Sequence, residues 1–449
     1  MTIATVKNKT LIARDKAHLV HPLHDSSTHA HGRVWIKGEG ATLTDADGQQ
    51  CIDGLAGLWN VTAGHGRKEL ADTMQTQASQ LAYVSGYSGN SNKKAIELAE
   101  QLAGLCYPSI NHFFFTSGGG ESTESSIKLA RAYWKLKGQP KKTKVISRID
   151  GYHGVTLAAM SATGIAPYWT LFEPLVPGFV HIPSPYPYRY NGPSGVSQGL
   201  AAANELEEAI LREGADTVAM FIAEPVQGAG GVIPPQDDYF PKIREICDRH
   251  DVLFVADEVI TGFGRTGKYF ALEHWGVEPD VIQFAKAITS GYFPFGGIGI
   301  NDAIMQTLED SNQAWMHAFT YSAHPVGCAV ALKMLDIIEK EDFPDQAAKK
   351  GDYLSNMLHV ALAQHPHVGN IRGKGLMCAV EFVEDQATKE PFSSTRKIGL
   401  QIHKKALEKG LLSRVKGDSY LLAPPIIITE SELDRIVEIL SESIQEILG

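Results

Sequence analysis

The chain has 449 residues, of which 43% are hydrophobic and 20% charged, a composition typical of folded globular proteins that excludes disordered, collagen-like and coiled-coil classes. The 41 Lys and Arg against 51 Asp and Glu give a net charge of −10, which argues against a broad nucleic-acid-binding surface. At this length two structural domains are expected rather than one.

Cysteine usage and hydrophobicity indicate the compartment. The five cysteines are scattered, odd in number and without a CxxC pair, which is typical of free thiols in a reducing environment. No apolar stretch reaches the length of a membrane span, and the N-terminus has no apolar core of a signal peptide. We therefore expect a soluble, cytoplasmic protein without a membrane partner.

The first 60 residues are rich in predicted loops, with a short apolar passage at 33–37 and a turn at 45–48. Histidines crowd this region, but their spacings do not place them on one helix face, so metal binding is disfavoured. We expect instead a flexible segment that folds over a neighbouring surface. The histidines are His18, His21, His24, His29 and His31.

From about residue 111, short β-branched or aromatic runs alternate with longer helical stretches. The runs are nearly continuous in apolar residues, as expected for strands that are covered on both faces. Helical connections between them predict a mostly parallel α/β sheet. The predicted strands are 112–117, 144–149, 217–226, 253–260, 281–288 and 295–300.

The pattern changes again after residue 326. A long apolar helix at 327–339 is followed by strands near 376–383 and 420–428. The last helix begins with a capping box, Thr429 to Glu432, in which each side chain can satisfy an unpaired backbone amide. The tyrosine- and proline-rich stretch 183–195 is predicted to be a loop.

We therefore predict three parts. Residues 1–60 form an N-terminal segment that contributes to the small domain and covers the active site. Residues 61–326 form the large domain, with a mostly parallel sheet flanked by helices. Residues 327–449 form a smaller α+β domain, hinged near residue 326.

Three unusual features fall at the ends of predicted strands. The run Ser117–Gly120 lies between a strand and a helix at 121–137, which is an arrangement that binds phosphate-sized anions through free amides. Asp257 and Glu258 end one strand, and because adjacent side chains point to opposite faces, only one carboxylate can face a given ligand. Lys286 ends another, where burial would lower the pKa of its amine.

A phosphate site, an acid and a lysine are the minimal set for holding pyridoxal phosphate. The amides would bind the phosphate, the acid would keep the pyridine nitrogen protonated, and the lysine would form a Schiff base. Gly262–Gly267 matches the dinucleotide fingerprint, but no clear helix follows it, so an NAD-dependent oxidoreductase is disfavoured. Gly195–Gly199 matches the GxSxG motif of hydrolases without the strand that must precede it.

Over nearly its whole length the chain resembles the class III aminotransferases, which are pyridoxal-phosphate enzymes of fold type I. The resemblance rests on several motifs in family-like order and spacing. They are GLWNVTAGHG (57–66), FFTSGGGES (114–122), GYHG (151–154), AEPVQGAGG (223–231), ADEVITGFGRTG (256–267), AKAITSGYFPFGG (285–297) and TYSAHPVGCA (320–329).

The resemblance implies a role for each site residue. Lys286 would bind the cofactor covalently and shuttle a proton, and Asp257 would bind the pyridine nitrogen. Tyr152 and Val259 would lie against opposite faces of the ring. Backbone amides of the phosphate turn would hold the phosphate, and Thr320 of a partner subunit would add a hydroxyl, so a homodimer with shared sites is expected, with a tetramer left open. The phosphate turn consists of Gly118, Gly119 and Gly120.

The resemblance also narrows the substrate. Family members acting on ornithine-like or 4-aminobutyrate substrates often have Gln where this chain has Ile260, whose presence resembles the ω-amino acid or amine:pyruvate branch. Arg414 matches that branch's mobile arginine for the substrate carboxylate, and Glu224 would hold it when no carboxylate is bound. Trp59, Tyr87 and Tyr152 would shape the apolar side of the pocket.

The predicted reaction therefore moves the amino group of an ω-amino acid, such as β-alanine, or of a primary amine to pyruvate. A 4-aminobutyrate-type aminotransferase with another acceptor, an aminomutase, a decarboxylase and a racemase remain open, as does a non-catalytic binding protein on the same fold. One departure concerns the cofactor. The family often has Ser where this chain has Gly120, so one hydroxyl to the phosphate is expected to be missing.

Overall fold

The computed structural model describes residues 8–25 and 32–449. The strands are β1 Trp35–Glu39, β2 Thr42–Asp45, β3 Gln50–Asp53, β4 Ile110–Thr116, β5 Lys144–Arg148, β6 Phe179–Ile182, β7 Val218–Ala223, β8 Leu253–Asp257, β9 Val281–Phe284, β10 Gly296–Asn301, β11 Val368–Gly373, β12 Cys378–Phe382, β13 Leu411–Leu412, β14 Arg414–Lys416 and β15 Ser419–Leu422.

The helices are α1 Asn8–His18, the short distorted turn α2 Ala56–Trp59, α3 Lys68–Gln80, α4 Lys93–Leu105, α5 Gly119–Leu136, α6 Leu157–Ala162, α7 Gln198–Glu213, α8 Tyr239–Arg249, α9 Asp302–Asp310, α10 Pro325–Lys340, α11 Phe343–Leu362, α12 Ile398–Glu408 and α13 Glu430–Leu448. In the described ranges, no helix is both long and apolar enough to cross a bilayer.

The central sheet has seven strands in the order β4-β10-β9-β8-β7-β5-β6. Strand β10 runs antiparallel to both of its neighbours, and every other strand runs in one common direction. Every residue of β7, β8 and β9 is buried, because helices cover both faces of the sheet. The prediction of a mostly parallel α/β sheet is confirmed.

The predicted strands 217–226, 253–260 and 281–288 continue beyond the observed ends at Ala223, Asp257 and Phe284. The apolar runs do not stop there, but the residues that follow turn away from the sheet and line a cavity or pack beneath it. Periodicity alone cannot separate these two forms of burial. The strand ends were therefore predicted wrongly, although the strands themselves exist.

The N-terminal region contains more strand than the sequence predicts. Strands β1, β2 and β3 form an antiparallel meander, and β3 pairs in parallel with β13 from the far end of the chain. Each strand has only four or five residues and a partly exposed surface, so it lacks the apolar run that marks a buried strand. The division at residues 60 and 326 stays a prediction.

The C-terminal region has its own antiparallel sheet, ordered β11-β12-β15-β14. Helix α13 begins after Thr429, whose hydroxyl accepts a hydrogen bond from the amide of Glu432, while the Glu432 carboxylate accepts one from the amide of Thr429. The predicted capping box is confirmed. The predicted loop at 183–195 is confirmed as well, since no helix or strand interrupts it.

Candidate active site

A cavity of about 400 Å³ opens where several parallel strands end. In open α/β sheets, ligands bind outside the carboxyl ends of the strands, and this cavity follows that rule. Its wall is made by the turns after β4, β5, β7, β8 and β9. The lining residues are Asn60, Ser117–Gly120, Tyr152–Thr156, Glu224, Asp257, Val259, Ile260, Ala285, Lys286, Thr289, Gly291 and Phe293–Phe295.

One end of the cavity is a glycine turn at the N-terminus of α5. Gly118 precedes the helix and caps it with no side chain, which leaves its first amides free toward the cavity. A Cβ built on Gly119 would lie 3.1 Å from Val259 Cγ1, closer than nine in ten real Cβ contacts. Glu121 Oε2 accepts the Ser117 amide at 2.8 Å and so turns this carboxylate away from the free amides.

Gly120 stands where the family often has Ser, and there is space around it for a side chain. A Cβ on Gly120 would meet only Thr156 Cγ2, at 3.9 Å. Ser122 does not replace the missing hydroxyl, because it is fully buried and its Oγ lies 3.0 Å from Thr116 Oγ1 and 3.1 Å from the Gly118 carbonyl. No serine therefore supplies a hydroxyl from this helix turn after residue 118.

Asp257 ends β8 and faces the cavity. Its Oδ2 lies 2.7 Å from Nδ1 of His153, whose side chain is fully buried, and its Oδ1 accepts the Val259 amide at 3.2 Å. These two contacts fix the carboxylate, which a buried acid requires. His153 is a site residue that the sequence reasoning missed. Its signal was present, because it follows Tyr152 in the motif GYHG.

The second carboxylate of the pair points the other way. Glu258 is fully buried and accepts hydrogen bonds from Tyr107 Oη at 2.7 Å and from the Leu272 amide at 3.2 Å, and it also bonds the hydroxyl of Thr261. Burial raises the pKa of this carboxyl. Only Asp257 of the two acids lines the cavity, as the alternation of side chains along a strand predicts, and Glu258 bonds groups in the interior.

Lys286 follows β9 in a short 3₁₀ turn and has a φ of +49°, a left-handed conformation that is uncommon for a residue with a Cβ. Burial lowers the pKa of its amine, while the charges of Asp257 and Glu224 act to raise it and that of Arg414 acts to lower it further. The charges of both acids of the cavity therefore influence the pKa of this amine. A lysine of lowered pKa is the form that can act as a nucleophile.

Glu224 and Tyr152 also line the cavity. Glu224 Oε1 accepts the Tyr152 amide at 3.0 Å, and Oε2 accepts the Gly228 amide at 2.9 Å. Burial raises the pKa of the Glu224 carboxyl. Contrary to the expectation that Glu224 holds Arg414, the described residues show no ion pair between the two, because both Glu224 oxygens bond backbone amides instead.

Four of the predicted site residues lie outside this lining. Trp59 is 2% exposed and packs with Ile260 and Leu421, so it lies behind the wall, and its neighbour Asn60 reaches the cavity. Arg414 lies on β14, and its charge acts on Tyr152 and Lys286. Across residues 8–25 and 32–449 its guanidinium has neither a hydrogen bond nor an ion pair.

The other two, Tyr87 and Thr320, are also absent from the lining of this cavity. Tyr87 lines a second cavity, of about 300 Å³, with residues 317–319. Thr320 follows this segment, is exposed, and its carbonyl accepts a hydrogen bond from Tyr83 Oη at 2.8 Å. Within one chain, neither residue is brought to the glycine turn.

Two other motifs carry no site chemistry here. The stretch Gly262–Gly267 forms tight turns, and the helix that follows it is a five-residue 3₁₀ turn at Ala271–Trp275, so it lacks the α-helix N-terminus on which dinucleotide binding depends. Of the clustered histidines, His29 and His31 lie outside the described residues. His18 ends α1, and His21 Nε2 lies 2.7 Å from Asp15 Oδ2.

The cavity fits pyridoxal phosphate. The glycine turn offers amides to a phosphate, and a Cβ at Gly119 would fill the space against Val259. Asp257, held by His153, offers a fixed anion for a protonated ring nitrogen, and Lys286 offers a buried amine of lowered pKa. This set of a phosphate turn, an acid and an amine matches the chemistry of the cofactor.

Comparisons with known proteins agree with this geometry. The family model for class III aminotransferases matches residues 24–444. A putrescine–pyruvate aminotransferase of Pseudomonas aeruginosa is 38% identical over 97% of this chain and 96% of its own length. A diaminobutyrate–2-oxoglutarate transaminase of Halomonas elongata is 39% identical over 96% and 94%.

Solved structures give the same result. A thermostable (S)-enantioselective omega-transaminase from Thermomicrobium roseum superposes with a TM-score of 0.96 at 45% identity, covering 99% of this chain and 100% of that one. The omega-transaminase from Pseudomonas jessenii, solved in complex with PMP, has a TM-score of 0.94 at 37% identity, covering 97% and 99%. The chain therefore belongs to the class III aminotransferases, which are pyridoxal-phosphate-dependent enzymes of fold type I.

Proposed function

We propose that the enzyme transfers the amino group of an ω-amino acid, such as β-alanine, or of a primary amine to pyruvate, releasing an aldehyde or ketone and alanine. The observation that carries the proposal is Arg414. Its guanidinium has no partner in the described chain, yet its charge acts on Tyr152 and Lys286. An unpaired arginine near a reactive amine can bind a substrate carboxylate through two hydrogen bonds.

The residues of the chain would divide the work as follows. When bound, pyridoxal phosphate supplies an electron-accepting ring that stabilises the charge left by the loss of a proton from the substrate carbon. The amides of Gly118–Gly120 would hold its phosphate, and Asp257 would hold its ring nitrogen. Tyr152 and Val259 would flank the ring. Lys286, freed as a neutral amine, would carry the proton between substrate and cofactor.

Pyruvate is favoured as the acceptor by the charge of the cavity. A keto acid with two carboxylates needs two cationic partners, because an unpaired buried carboxylate is costly. The lining of the main cavity contains one lysine, Lys286, and no arginine. Arg414 is the one further cation whose charge acts on both Lys286 and Tyr152 among the described residues, so a single carboxylate has a partner and a second does not.

Two further features belong to the proposal. The exposed position of Thr320, away from the glycine turn of its own chain, supports a homodimer in which this hydroxyl reaches the partner's phosphate site. All five cysteines are free, which supports the reducing cytoplasm as the compartment.

The test is a panel of amine donors in the first half-reaction, without acceptor, on the wild type and on Arg414→Ala. Pyruvate is left out because its own carboxylate would also lose a partner. We expect Arg414→Ala to lower kcat/KM for β-alanine about 10- to 150-fold, which corresponds to a lost charged hydrogen bond. Donors without a carboxylate should change less than threefold. Uniform loss across the panel would contradict the assignment of Arg414.

A second set of reactions tests the acceptor. With a good donor, the purified enzyme should form alanine from pyruvate at a rate far above that of glutamate from 2-oxoglutarate. An enzyme that turns over the donor with no keto acid present would instead be a decarboxylase, racemase or aminomutase. Lys286→Ala serves as the control and should lack turnover with every donor.

A further inference from the structure

The residue that carries the specificity proposal stands on a small hairpin. Strands β14 and β15 pair antiparallel, with Arg414 opposite Leu421 and Lys416 opposite Ser419, and Gly417 and Asp418 make the turn. Side chains two residues apart on a strand point to the same face. Arg414 and Lys416 therefore project on the same side of β14.

On that side Lys416 contacts the loop after β5 of the seven-stranded sheet. Its Nζ lies 2.6 Å from Oδ1 of Asp150, which follows β5. The partner is held firmly. Asp150 has a φ of +61°, its amide donates to the Gly164 carbonyl at 2.9 Å, and a Cβ on Gly230 would come within 1.9 Å of its carbonyl oxygen. The backbone at Asp150 is thus fixed from two directions.

The loop that starts at Asp150 also builds the cavity wall. Tyr152 stands two residues further on, and its amide is bound by Glu224 at 3.0 Å. Arg414, two residues before Lys416, acts through its charge on Tyr152. The Lys416–Asp150 ion pair therefore connects the strand of Arg414 to the loop of Tyr152, whereas the guanidinium of Arg414 has no hydrogen bond or ion pair in the described chain.

We propose that the Lys416–Asp150 ion pair sets the position of Arg414 relative to the loop of Tyr152, and that Lys416 is a positioning residue for substrates with a carboxylate. This inference rests on the proposed function of Arg414. A guanidinium binds a carboxylate well only when both of its donors are aligned, and small misplacements reduce the rate steeply. Removing the ion pair lets the hairpin shift, which weakens carboxylate binding and leaves the cofactor site in place.

The exposure of the pair separates this role from a role in folding. The Lys416 and Asp150 side chains are 38% and 28% exposed, and ion pairs with that access to water contribute little to stability. A variant that breaks the pair should therefore fold and retain cofactor. Asp150→Asn is a suitable partner change, because Asn tolerates the left-handed backbone that this position requires.

The experiment uses holoenzyme of the wild type, Lys416→Met, Asp150→Asn, the double variant and Lys416→Arg. Each is measured in the donor half-reaction with β-alanine and with propylamine, which lacks the carboxylate. The inhibition constant of propionate gives carboxylate binding without chemistry. Lys349→Met is the matched control, because it breaks an exposed lysine pair with Asp345 on α11.

We expect Lys416→Met and Asp150→Asn each to raise the KM for β-alanine and the inhibition constant of propionate about 5- to 10-fold, the effect of losing part of one charged hydrogen bond. The values for propylamine should stay within twofold. The double variant should resemble either single variant rather than show the product of their effects. Lys416→Arg should restore most of the carboxylate binding, and Lys349→Met should match the wild type.

Several outcomes would overturn the inference. Equal losses for β-alanine and propylamine would show a general effect on the cavity, and unchanged propionate binding would show that the pair does not act on Arg414. Multiplicative effects in the double variant would show that the two residues act separately. Arg414→Ala, measured in parallel, distinguishes the two proposals: if it also spares β-alanine, the proposed function fails, and if it alone is selective, only the role of Lys416 fails.

Discussion

At residue 286, burial and charge act in opposite directions on a single amine. Burial lowers its pKa, and the carboxylates of Asp257 and Glu224 partly oppose that shift. The sequence predicts this residue well, because a lysine at the end of an apolar strand is costly unless it has a use. The motif GYHG contains His153 but does not reveal its role, since the contact between its Nδ1 and Asp257 joins the loop after β5 to the end of β8.

The lowered pKa of the Lys286 amine predicts how the unfolding free energy of the apoenzyme depends on pH. Between that value and about 10.4, the ordinary value for lysine, the unfolded chain holds a proton that the folded chain lacks. The unfolding free energy of the apoenzyme should therefore rise with pH in this window, by at most about 1.4 kcal/mol per pH unit from this group. Denaturant unfolding of apo wild type and apo Lys286→Met measures it, and a difference independent of pH would contradict the shift.

His153 makes a second prediction at this scale. His153→Ala leaves the buried carboxylate of Asp257 with the Val259 amide as its remaining partner in the described chain. We expect a loss of about 1–3 kcal/mol in unfolding free energy and weaker retention of the cofactor. Cofactor release during dialysis gives the second readout. His181→Ala, a neighbouring histidine that does not contact Asp257, is the control and should retain cofactor.

At the scale of the elements, the sequence predicts the glycine turn and the buried strands, but it does not predict the residues at which those strands end. Apolar residues continue past Asp257 and Phe284, and only the three-dimensional packing decides which of them pair and which line the cavity. The antiparallel direction of β10 is also hidden, since its apolar run looks like that of a parallel strand. The meander of β1 to β3 is missed because short half-exposed strands have no strong pattern.

The glycine turn makes a prediction with an internal control. Gly119→Ala places a methyl group 3.1 Å from Val259 Cγ1, whereas Gly120→Ala meets only Thr156 Cγ2 at 3.9 Å. We expect Gly119→Ala to weaken cofactor binding at least tenfold and Gly120→Ala to change it less than threefold. Gly120→Ser should tighten binding, because it adds a hydroxyl near the phosphate amides. Equilibrium titration of the apoenzymes with cofactor measures all three.

At the scale of the whole molecule, the predicted site residues fall into two groups that one chain does not bring together. Lys286, Asp257, Tyr152 and the glycine turn share one cavity, whereas Tyr87 lines another, together with Phe319, the residue before Thr320. No spacing argument separates the groups, and only the family resemblance placed Thr320 in a partner subunit. The pairing of β3 with β13 is likewise beyond sequence reasoning, since it joins residues near opposite ends of the chain.

Mixed dimers test whether Thr320 acts across subunits. A Lys286→Ala chain is inactive but keeps its Thr320, and a Thr320→Val chain keeps its Lys286. If the hydroxyl serves the partner's site, a dimer of the two has one site with both groups, and mixing should raise cofactor affinity and activity above those of Thr320→Val alone. If Thr320 serves its own chain, mixing restores nothing. Two different affinity tags, used one after the other, isolate the mixed dimer.

The hairpin of β14 and β15 has a consequence for how this enzyme can change. Under our proposals its residues determine substrate selectivity, whereas the residues that hold the cofactor and move the proton lie at the strand ends of the seven-stranded sheet. Selectivity and catalysis therefore depend on different parts of the fold. Replacing residues within the stretch 414–422 could redirect the enzyme toward bulkier or uncharged amines without disturbing the machinery of proton transfer. Natural divergence and laboratory engineering would then have the same short segment available as their first target.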